Sequence, residues 1–284
     1  MAPEGPVSTA KSAVSLVSDV MKLAADNAEA RAAGGELGKT ALTLTKTINN
    51  VLLPIAAVNF AFDKAREYFS NKFASDLAEK VASVPPDQIT EPKASIAGPA
   101  LQGLAFAHEE PDLKEMYLSL LASSMDKRAA ASAHPAFVEM IRQLEASEAR
   151  LLRGILRVAS GIAVAEIRRI KEGESGWVTL QRHVADLVQD GQPVEDPQFP
   201  AMVDNWIRLG LVHISYDKFL IGDQFYSWVE SRPEFARHRQ AQEASGFKVT
   251  FQKGILWRTA LGAQFAGAVG ILPGIPAEAQ KAEE

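Results

Sequence analysis

Apolar residues recur at helical spacing throughout the first half of the chain. An Ala-rich stretch, residues 10–33, has the pattern of an amphipathic helix that would end at Gly34-Gly35. A second apolar stripe extends over residues 44–84, and Pro85-Pro86 would end it. The pattern therefore predicts a helical first half.

The clearest helical pattern follows Pro111, a residue type suited to the first position of a helix. Six residues after it keep the i, i+3, i+4, i+7 spacing, namely Leu113, Met116, Tyr117, Leu120, Leu121 and Ser124. Pro135 begins a similar segment, whereas the four prolines of residues 85–99 predict an extended connector before a short helix at 100–107. Since such short helices are not stable alone, we expect them to pack as a helical bundle over residues 40–145.

Helices and strands alternate in the second half of the chain. The pattern predicts, in order, a helix capped at Ser147, a strand at 162–170, helices at 178–188 and 199–209, a strand at 211–214, a helical insert at 216–246 and a β-hairpin that turns at Gln252-Lys253-Gly254. Two helices, a strand and a hairpin in this order are typical of a winged helix-turn-helix, in which the hairpin is the wing.

The predicted fold class is mostly α, of the α+β kind. Four parts are expected: an N-terminal helix and linker (1–39), a helical bundle (40–145), a winged-helix-like domain with a small β-hairpin wing and a helical insert (146–269), and a flexible tail (270–284). A length of 284 residues, 47% of them apolar, is enough for two ordinary domains with buried cores.

Charge argues against a nucleic-acid partner. Thirty Lys and Arg against thirty-five Asp and Glu leave a net charge of −5, the opposite of the basic surface that phosphate binding requires. In the segment 196–208, which would be the groove-reading helix, Arg208 is the only cation. The chain has no cysteine, which excludes disulfides and thiolate metal sites and is typical of a reducing compartment.

Two short motifs suggest chemistry only weakly. Residues 33–40 match the phosphate-binding loop loosely, but Ala33 stands where its first glycine should be, and a helix is predicted before it instead of a strand. Ser124 and Lys127 have the Ser-x-x-Lys spacing of a serine hydrolase, without the companion motifs of that site. The five histidines include no i+3 or i+4 pair. We therefore expect no enzyme, no cofactor and no metal site.

No segment has the pattern of a signal peptide or of a membrane span. Residues 1–6 begin without the charged and apolar regions of a signal. Residues 47–62 are free of charge but short and polar, and residues 259–277 are broken by glycine and proline. We expect a cytoplasmic protein. The stretch 47–62, with Phe60 and Phe62, leaves a peripheral membrane contact open beside core packing.

Seven sequence blocks resemble one bacterial family. In chain order they are Gly38-Lys39-Thr40, LLPIAAV, IAGPALQGLAF, YLSLLASSMDK, AHPAFVEMIRQL, NWIRLGLVHI and LWRTALGAQF. From about residue 40 to residue 265 the chain resembles the Abi-alpha (abortive infection alpha) family, a bacterial domain of unknown function. That family is associated with resistance to bacteriophage, in which an infected cell arrests or dies before phage progeny mature. The resemblance implies a role in phage defence.

The resemblance also implies a functional surface where the chain matches the family. Its residues are Gly98, Pro99, Ser123, Ser124, Met125, Asp126, His134, Pro135 and Phe137. The chemistry of these residues favours a different role, a structural joint between two helices in which Asp126 and His134 hydrogen-bond across the turn. Near the end, Thr259-Ala260-Leu261-Gly262 departs from an expected Thr-Pro-Phe-Gly, which affects only the start of the last helix.

The expected function is non-enzymatic phage defence through contact with a protein or a membrane. A protein partner or a homo-oligomer is expected. One alternative is a winged-helix nucleic-acid-binding regulator of a defence locus. Another is an enzyme that uses Ser124 and Lys127.

Overall fold

The structure, a computed structural model, describes residues 59–273. Within that range the chain divides into two compact units. The first comprises residues 59–150 with 264–273, and the second comprises residues 151–263. The chain is thus an α+β protein, with its strands in the second unit.

Several sequence predictions lie outside the described residues. They are the helix at 10–33, the loop motif at 33–40, most of the tail at 270–284, and the stretch 47–62 apart from the helical backbone of its last four residues. The side chains of Phe60 and Phe62 belong to this group.

The first unit is helical over its described residues. Its helices are α1 (Asn59–Asn71), α2 (Phe73–Val81), α3 (Ala94–Ala107), α4 (Pro111–Met125), α5 (Pro135–Arg142) and the beginning of α6 (Ala146–Arg157). Pro111 is the first residue of α4 and Asp112 lies in its first turn, where a carboxylate favours the helix dipole, as the sequence predicts. Helix α4 packs against α2, α3 and α5, and its Met116 and Leu120 are fully buried.

Helix α3 is longer than the sequence predicts. The expected connector at 85–99 ends early, because the helix begins at Ala94 and contains Pro99 in its interior. An internal proline costs about 3 kcal/mol in an exposed helix. Here the helix buries Ile96, Leu101 and Leu104 almost completely, and this apolar burial offsets the cost.

The second unit is built on a four-stranded antiparallel sheet. Its elements are β1 (Ile162–Lys171), β2 (Val178–Val184), a small ribbon of β3 (Val188–Gln189) and β4 (Gln192–Pro193), α7 (Phe199–Arg208), β5 (Val212–Ser215), α8 (Pro233–Glu243), β6 (Phe247–Arg258) and the beginning of α9 (Ala260–Ala268). The strand order in the sheet is β2-β1-β6-β5. The predicted strands at 162–170 and 211–214, the helix at 199–209 and the helical insert are confirmed.

One face of the sheet carries the core of this unit. Ala165 and Ile167 of β1 pack with Val249 of β6 against residues of the insert, among them Val229 and Phe235. Alternation along the strands places the apolar residues on this face and leaves Glu166 and Arg168 for the other. The insert at 216–246 is therefore part of the hydrophobic core.

Two predicted elements of the winged helix are wrong. Residues 178–184 form strand β2 instead of a helix, and β2 pairs along the edge of β1. The predicted hairpin at 252–254 lies inside the continuous strand β6, where Gly254 pairs with Val164 of β1. A Cβ at Gly254 would lie 2.6 Å from the ring of Tyr216, so this glycine permits a close approach and not a turn. The helix, helix, strand, hairpin order is not formed in the described residues.

Candidate functional site

Two of the predicted site residues, Ser123 and Asp126, line a cavity of about 390 Å³ in the first unit, which we name the polar cavity. Its walls come from the ends of α2 and α4, the turn after α4, and the end of α9. The polar side chains that line it are Lys80, Ser83, Ser119, Ser123, Asp126 and Arg128. It is therefore a place where a polar molecule can form hydrogen bonds.

Asp126 is held in the turn that ends α4. Its carboxylate accepts hydrogen bonds from the backbone N–H of Arg128 at 2.9 Å, from Nε of Arg128 at 2.9 Å, and from Nη2 at 2.6 Å. The Arg128 guanidinium holds the pKa of Asp126 below its ordinary value, although burial acts in the opposite direction. The carboxylate is thus a fixed anion at physiological pH and a weak base.

Backbone contacts fix the same turn to the connector that follows α2. Asp126 forms a β-bridge with Ile89, the N–H of Lys127 donates to the carbonyl of Gln88 at 2.9 Å, and the N–H of Thr90 donates to the carbonyl of Met125 at 2.8 Å. These contacts orient the carboxylate at the cavity wall.

Two hydroxyls of α4 face the polar cavity beside Asp126. Ser123 donates its hydroxyl to the carbonyl oxygen of Ala268 at 2.9 Å and keeps acceptor capacity. Ser119 is only 8% exposed, and the structure gives its hydroxyl no hydrogen-bond partner within residues 59–273. Gly267, in α9, adds an open stretch of wall, because a Cβ there would meet no atom within 4 Å.

Ser124 and Lys127 are not arranged as a nucleophile and its base. The Ser124 hydroxyl is buried and donates to the carbonyl of Leu121 at 2.7 Å, inside its own helix. The Lys127 ammonium is directed to the carbonyl of Asp87 at 2.9 Å. Each group therefore bonds a different backbone oxygen, as structural residues do.

The predicted hydrogen bond between Asp126 and His134 is wrong. Asp126 is bonded to Arg128, whereas His134 caps α5 by accepting the N–H of Ala136 at its Nδ1, 3.1 Å away. The cap satisfies a backbone N–H that the first turn of a helix leaves without a partner. This hydrogen bond forms in place of the predicted bond between His134 and Asp126.

The remaining predicted residues do not line the polar cavity. Pro135 is the first residue of α5, and Phe137 is fully buried with its ring edge against Phe265 at 5.5 Å. Gly98 and Pro99 lie in the interior of α3. The structure therefore brings Ser123 and Asp126 together in the cavity and assigns packing and capping roles to the others.

A segment of the insert was missed as a candidate surface. Residues 219–225, which we name the apolar segment, expose Phe219 at 50%, Ile221 at 91% and Phe225 at 41% of their surface. The buried Tyr226 anchors the segment to the sheet, because its hydroxyl accepts the N–H of Leu220 at 2.9 Å and donates to the carbonyl of Gly254 at 2.8 Å. The sequence signal was an apolar run between charged residues, inside what was predicted only as an insert.

A polar network around the buried His183 of β2 was also missed. His183 is 5% exposed and has a positive φ of 57°. Its ring contacts the Tyr216 hydroxyl at 3.0 Å through Nδ1 and Asp204 at 3.2 Å through Nε2. Nearby, Glu166 accepts from Arg168 at 2.6 Å. These residues come from separate elements, so no short motif could have revealed the network.

Metal-ligand clusters and membrane-spanning helices are both absent from the described range. Within residues 59–273 no three His, Cys, Asp or Glu side chains are grouped as metal ligands. In the same range no helix is long and apolar enough to cross a membrane.

Fold and site define the class as an α+β protein in which a helical unit holds the polar cavity and a sheet-based unit carries an exposed apolar segment. Residues 65–269 match the model of the family described as Abortive infection alpha. The chain belongs to this family, whose name points to abortive infection and, more generally, to phage defence. No curated protein and no solved structure matches the chain.

Proposed function

We propose that this chain is a phage-defence protein that acts without catalysis, by contact with another protein or with a membrane surface. One observation carries the proposal: the apolar segment exposes three large apolar side chains within seven residues, Phe219, Ile221 and Phe225. Clustered exposed apolar residues on a soluble surface are typical of interaction sites.

The apolar segment is preorganised for contact. Tyr226 anchors it from below, and Lys253 bonds Asp223 at 2.8 Å while its ammonium lies 6.0 Å from the centre of the Phe219 ring. A surface that is ordered before binding loses less conformational entropy on association. Of the two kinds of partner, a protein is favoured, because Lys218 balances Asp217 and Lys253 balances Asp223, so the segment has no net positive charge to attract it to an anionic membrane.

The test is phage plaquing and culture survival at low and high phage dose. Cells express the wild type, Phe219→Ser/Ile221→Ser, or the matched control Phe106→Ser/Val188→Ser, which alters two other exposed apolar residues. We expect protection at low dose and culture collapse at high dose for wild type and control, and loss of protection for the segment variant at equal abundance.

Two results would contradict parts of the proposal. Full protection by the segment variant would remove the apolar segment from the mechanism. Absence of protection by the wild type would remove the defence role itself. Co-sedimentation of the purified chain with anionic vesicles, lost in the segment variant, would assign the contact to a membrane in place of a protein.

A further inference from the structure

A second cavity, of about 440 Å³, lies within the second unit, and we name it the apolar cavity. Its walls are formed by α6, the beginning of β1, residues 185–187 and part of the insert. Large apolar side chains line it, among them Leu151, Ile155, Ile162, Phe199, Phe225 and Trp228. Both its size and its lining are those of a site for a small, largely apolar molecule.

A glycine lies in the wall of the apolar cavity. Gly154 lies in the interior of α6, where glycine is less favourable for the helix than almost any other residue. A Cβ at this position would meet no atom within 4 Å, and the residue lines the cavity. Packing therefore does not require glycine here, and a larger side chain has room at this position in the cavity wall.

A single charged side chain lines this apolar wall. Asp186 is half exposed, and Arg232 approaches its carboxylate only to 3.9 Å. Arg232 is fully buried and directs its closer hydrogen bonds to Glu234 and to the carbonyl of Leu187. The Asp186 carboxylate therefore keeps acceptor capacity for a second cation at the cavity.

Aromatic side chains line the same cavity as that carboxylate. Trp228 is fixed in orientation, because its indole N–H donates to the carbonyl of Phe225 at 2.7 Å, and both residues line the cavity with Phe199. Aromatic rings beside a carboxylate are the usual environment for an ammonium group, which the ring face and the anion both attract.

We propose that the apolar cavity binds an amphiphile with one aliphatic chain and a cationic ammonium head. The chain packs against Leu151, Ile155 and Phe199, and the ammonium lies between Asp186 and the aromatic residues. A fatty-acid anion has the same aliphatic chain, but its carboxylate would be repelled by the carboxylate of Asp186. The ligand preference is measured on the isolated chain, so it is tested separately from the role of the apolar segment in defence.

The experiment is calorimetric titration of the full chain with three probes below their micellar concentrations: dodecyltrimethylammonium, dodecanol and dodecanoate. We expect one site per chain and binding of the cation about tenfold tighter than that of dodecanoate. Asp186→Asn removes the charge and is expected to weaken binding of the cation several-fold while leaving dodecanol unchanged.

Gly154→Leu fills the apolar cavity and is expected to weaken binding of all three probes at least about tenfold. Gly267→Leu is the matched control, because it places the same side chain at an open helical glycine that lines the polar cavity. Thermal melting verifies that each variant folds. If Gly154→Leu melts early, Ser160→Leu replaces it, since Ser160 also lines the cavity from an exposed position.

The inference is overturned if dodecanoate binds as tightly as the cation. It is also overturned if the cavity-filling variant, once shown to be folded, binds all probes like the wild type.

Discussion

Arg232 is the deepest buried charged side chain among residues 59–273, at 0% exposure. Its guanidinium donates to Glu234 through Nε at 3.2 Å and through Nη2 at 3.0 Å, and also to the carbonyls of Leu187 and Val194. One side chain therefore fixes the ribbon formed by β3 and β4 to the beginning of α8. The two bonds to Glu234 are buried, and the two bonds to the carbonyls are partly buried.

We expect Arg232→Met to lower the free energy of unfolding by about 3–5 kcal/mol, because it leaves the Glu234 carboxylate buried without its partner. The double variant Arg232→Met/Glu234→Leu should recover part of that loss, since no charge is then stranded. Arg239→Met is the control, because Arg239 is 43% exposed, and it should change stability by less than about 1 kcal/mol. Urea denaturation measures all three. A loss below about 1 kcal/mol for Arg232→Met would contradict the argument.

His183 is a second residue whose surroundings affect stability, in this case its dependence on pH. Burial lowers its pKa below the ordinary value of 6.5, and the hydrogen bond to Asp204 only partly opposes this effect. The groups that face the ring are Tyr216, whose pKa burial raises to about 12, and the charged Asp204, Arg182 and Glu166. Neither of the ring's two hydrogen bonds, to Tyr216 and to Asp204, requires the imidazole to be protonated.

The folded state therefore binds the His183 proton less readily than the unfolded state. Its contribution to stability is complete above the ordinary pKa of 6.5 and is lost as the pH falls from that value to the lower pKa of the folded state, so the free energy of unfolding should drop as the pH is lowered below about 6.5. His183→Asn should flatten this dependence, and asparagine tolerates the positive φ. Guanidinium titrations at several pH values measure it. An equally steep drop in the variant would assign the effect to other groups.

Two glycines within helices, Gly262 and Gly154, differ in whether their position has room for a larger side chain. Gly262, in the first turn of α9, has no room for a side chain, because a Cβ would lie 2.0 Å from the carbonyl oxygen of Leu211. Thr259 precedes it and caps the helix, accepting the N–H of Gly262 at its hydroxyl, 2.8 Å away. Gly154 in α6 has open space around it. Helix α9 thus begins directly after this threonine, although the sequence departs there from the expected Thr-Pro-Phe-Gly.

The same substitution should therefore change stability in opposite directions. Gly262→Ala is expected to cost roughly 1–3 kcal/mol, since the clash is with backbone that cannot rotate away. Gly154→Ala is expected to add about 0.5–1 kcal/mol, because alanine loses less conformational entropy in a helix. Thermal and urea unfolding of both single variants give the two signs. Stabilisation by Gly262→Ala would show that α9 can shift away from Leu211.

Elements with a long, regular pattern were predicted well from the sequence, and ambiguous ones were not. Helix α4 and helix α7 have apolar residues at helical spacing and clear ends, with Gly210 at a positive φ of 73° after α7. Strand β2 is short and its pattern fits a helix too, so only its pairing with β1 decides between the two. Gly254 resembles a turn glycine in the sequence, but glycine is needed there because a side chain would collide with the ring of Tyr216.

For the whole molecule, the net charge of −5 dominates its behaviour toward polyanions. Within residues 59–273, the helix that occupies the predicted groove-reading segment, α7 (Phe199–Arg208), has Arg208 as its only cation, so it does not compensate for that charge. We expect no salt-dependent retention of the chain on double-stranded DNA between about 50 and 200 mM salt, measured by affinity chromatography. Retention that falls steeply with salt would revive the regulator alternative.

Local sequence patterns are enough to predict the α+β class, the positions of most helices and the membership in the Abortive infection alpha family. These follow from local periodicity, capping residues and conspicuous sequence blocks, which are all properties of neighbouring residues. The sequence also indicated Ser123 and Asp126, although it paired Asp126 with the wrong residue.

Only the tertiary structure decided which residues share a cavity, which strands pair and which apolar residues stay exposed. The polar cavity joins Lys80 to Ser123 and Gly267, and the apolar cavity joins Gly154 to Asp186 and Trp228. Such groupings depend on contacts between residues far apart in the chain. A local pattern does not encode them, because each residue's neighbours in space are fixed by the packing of the whole unit.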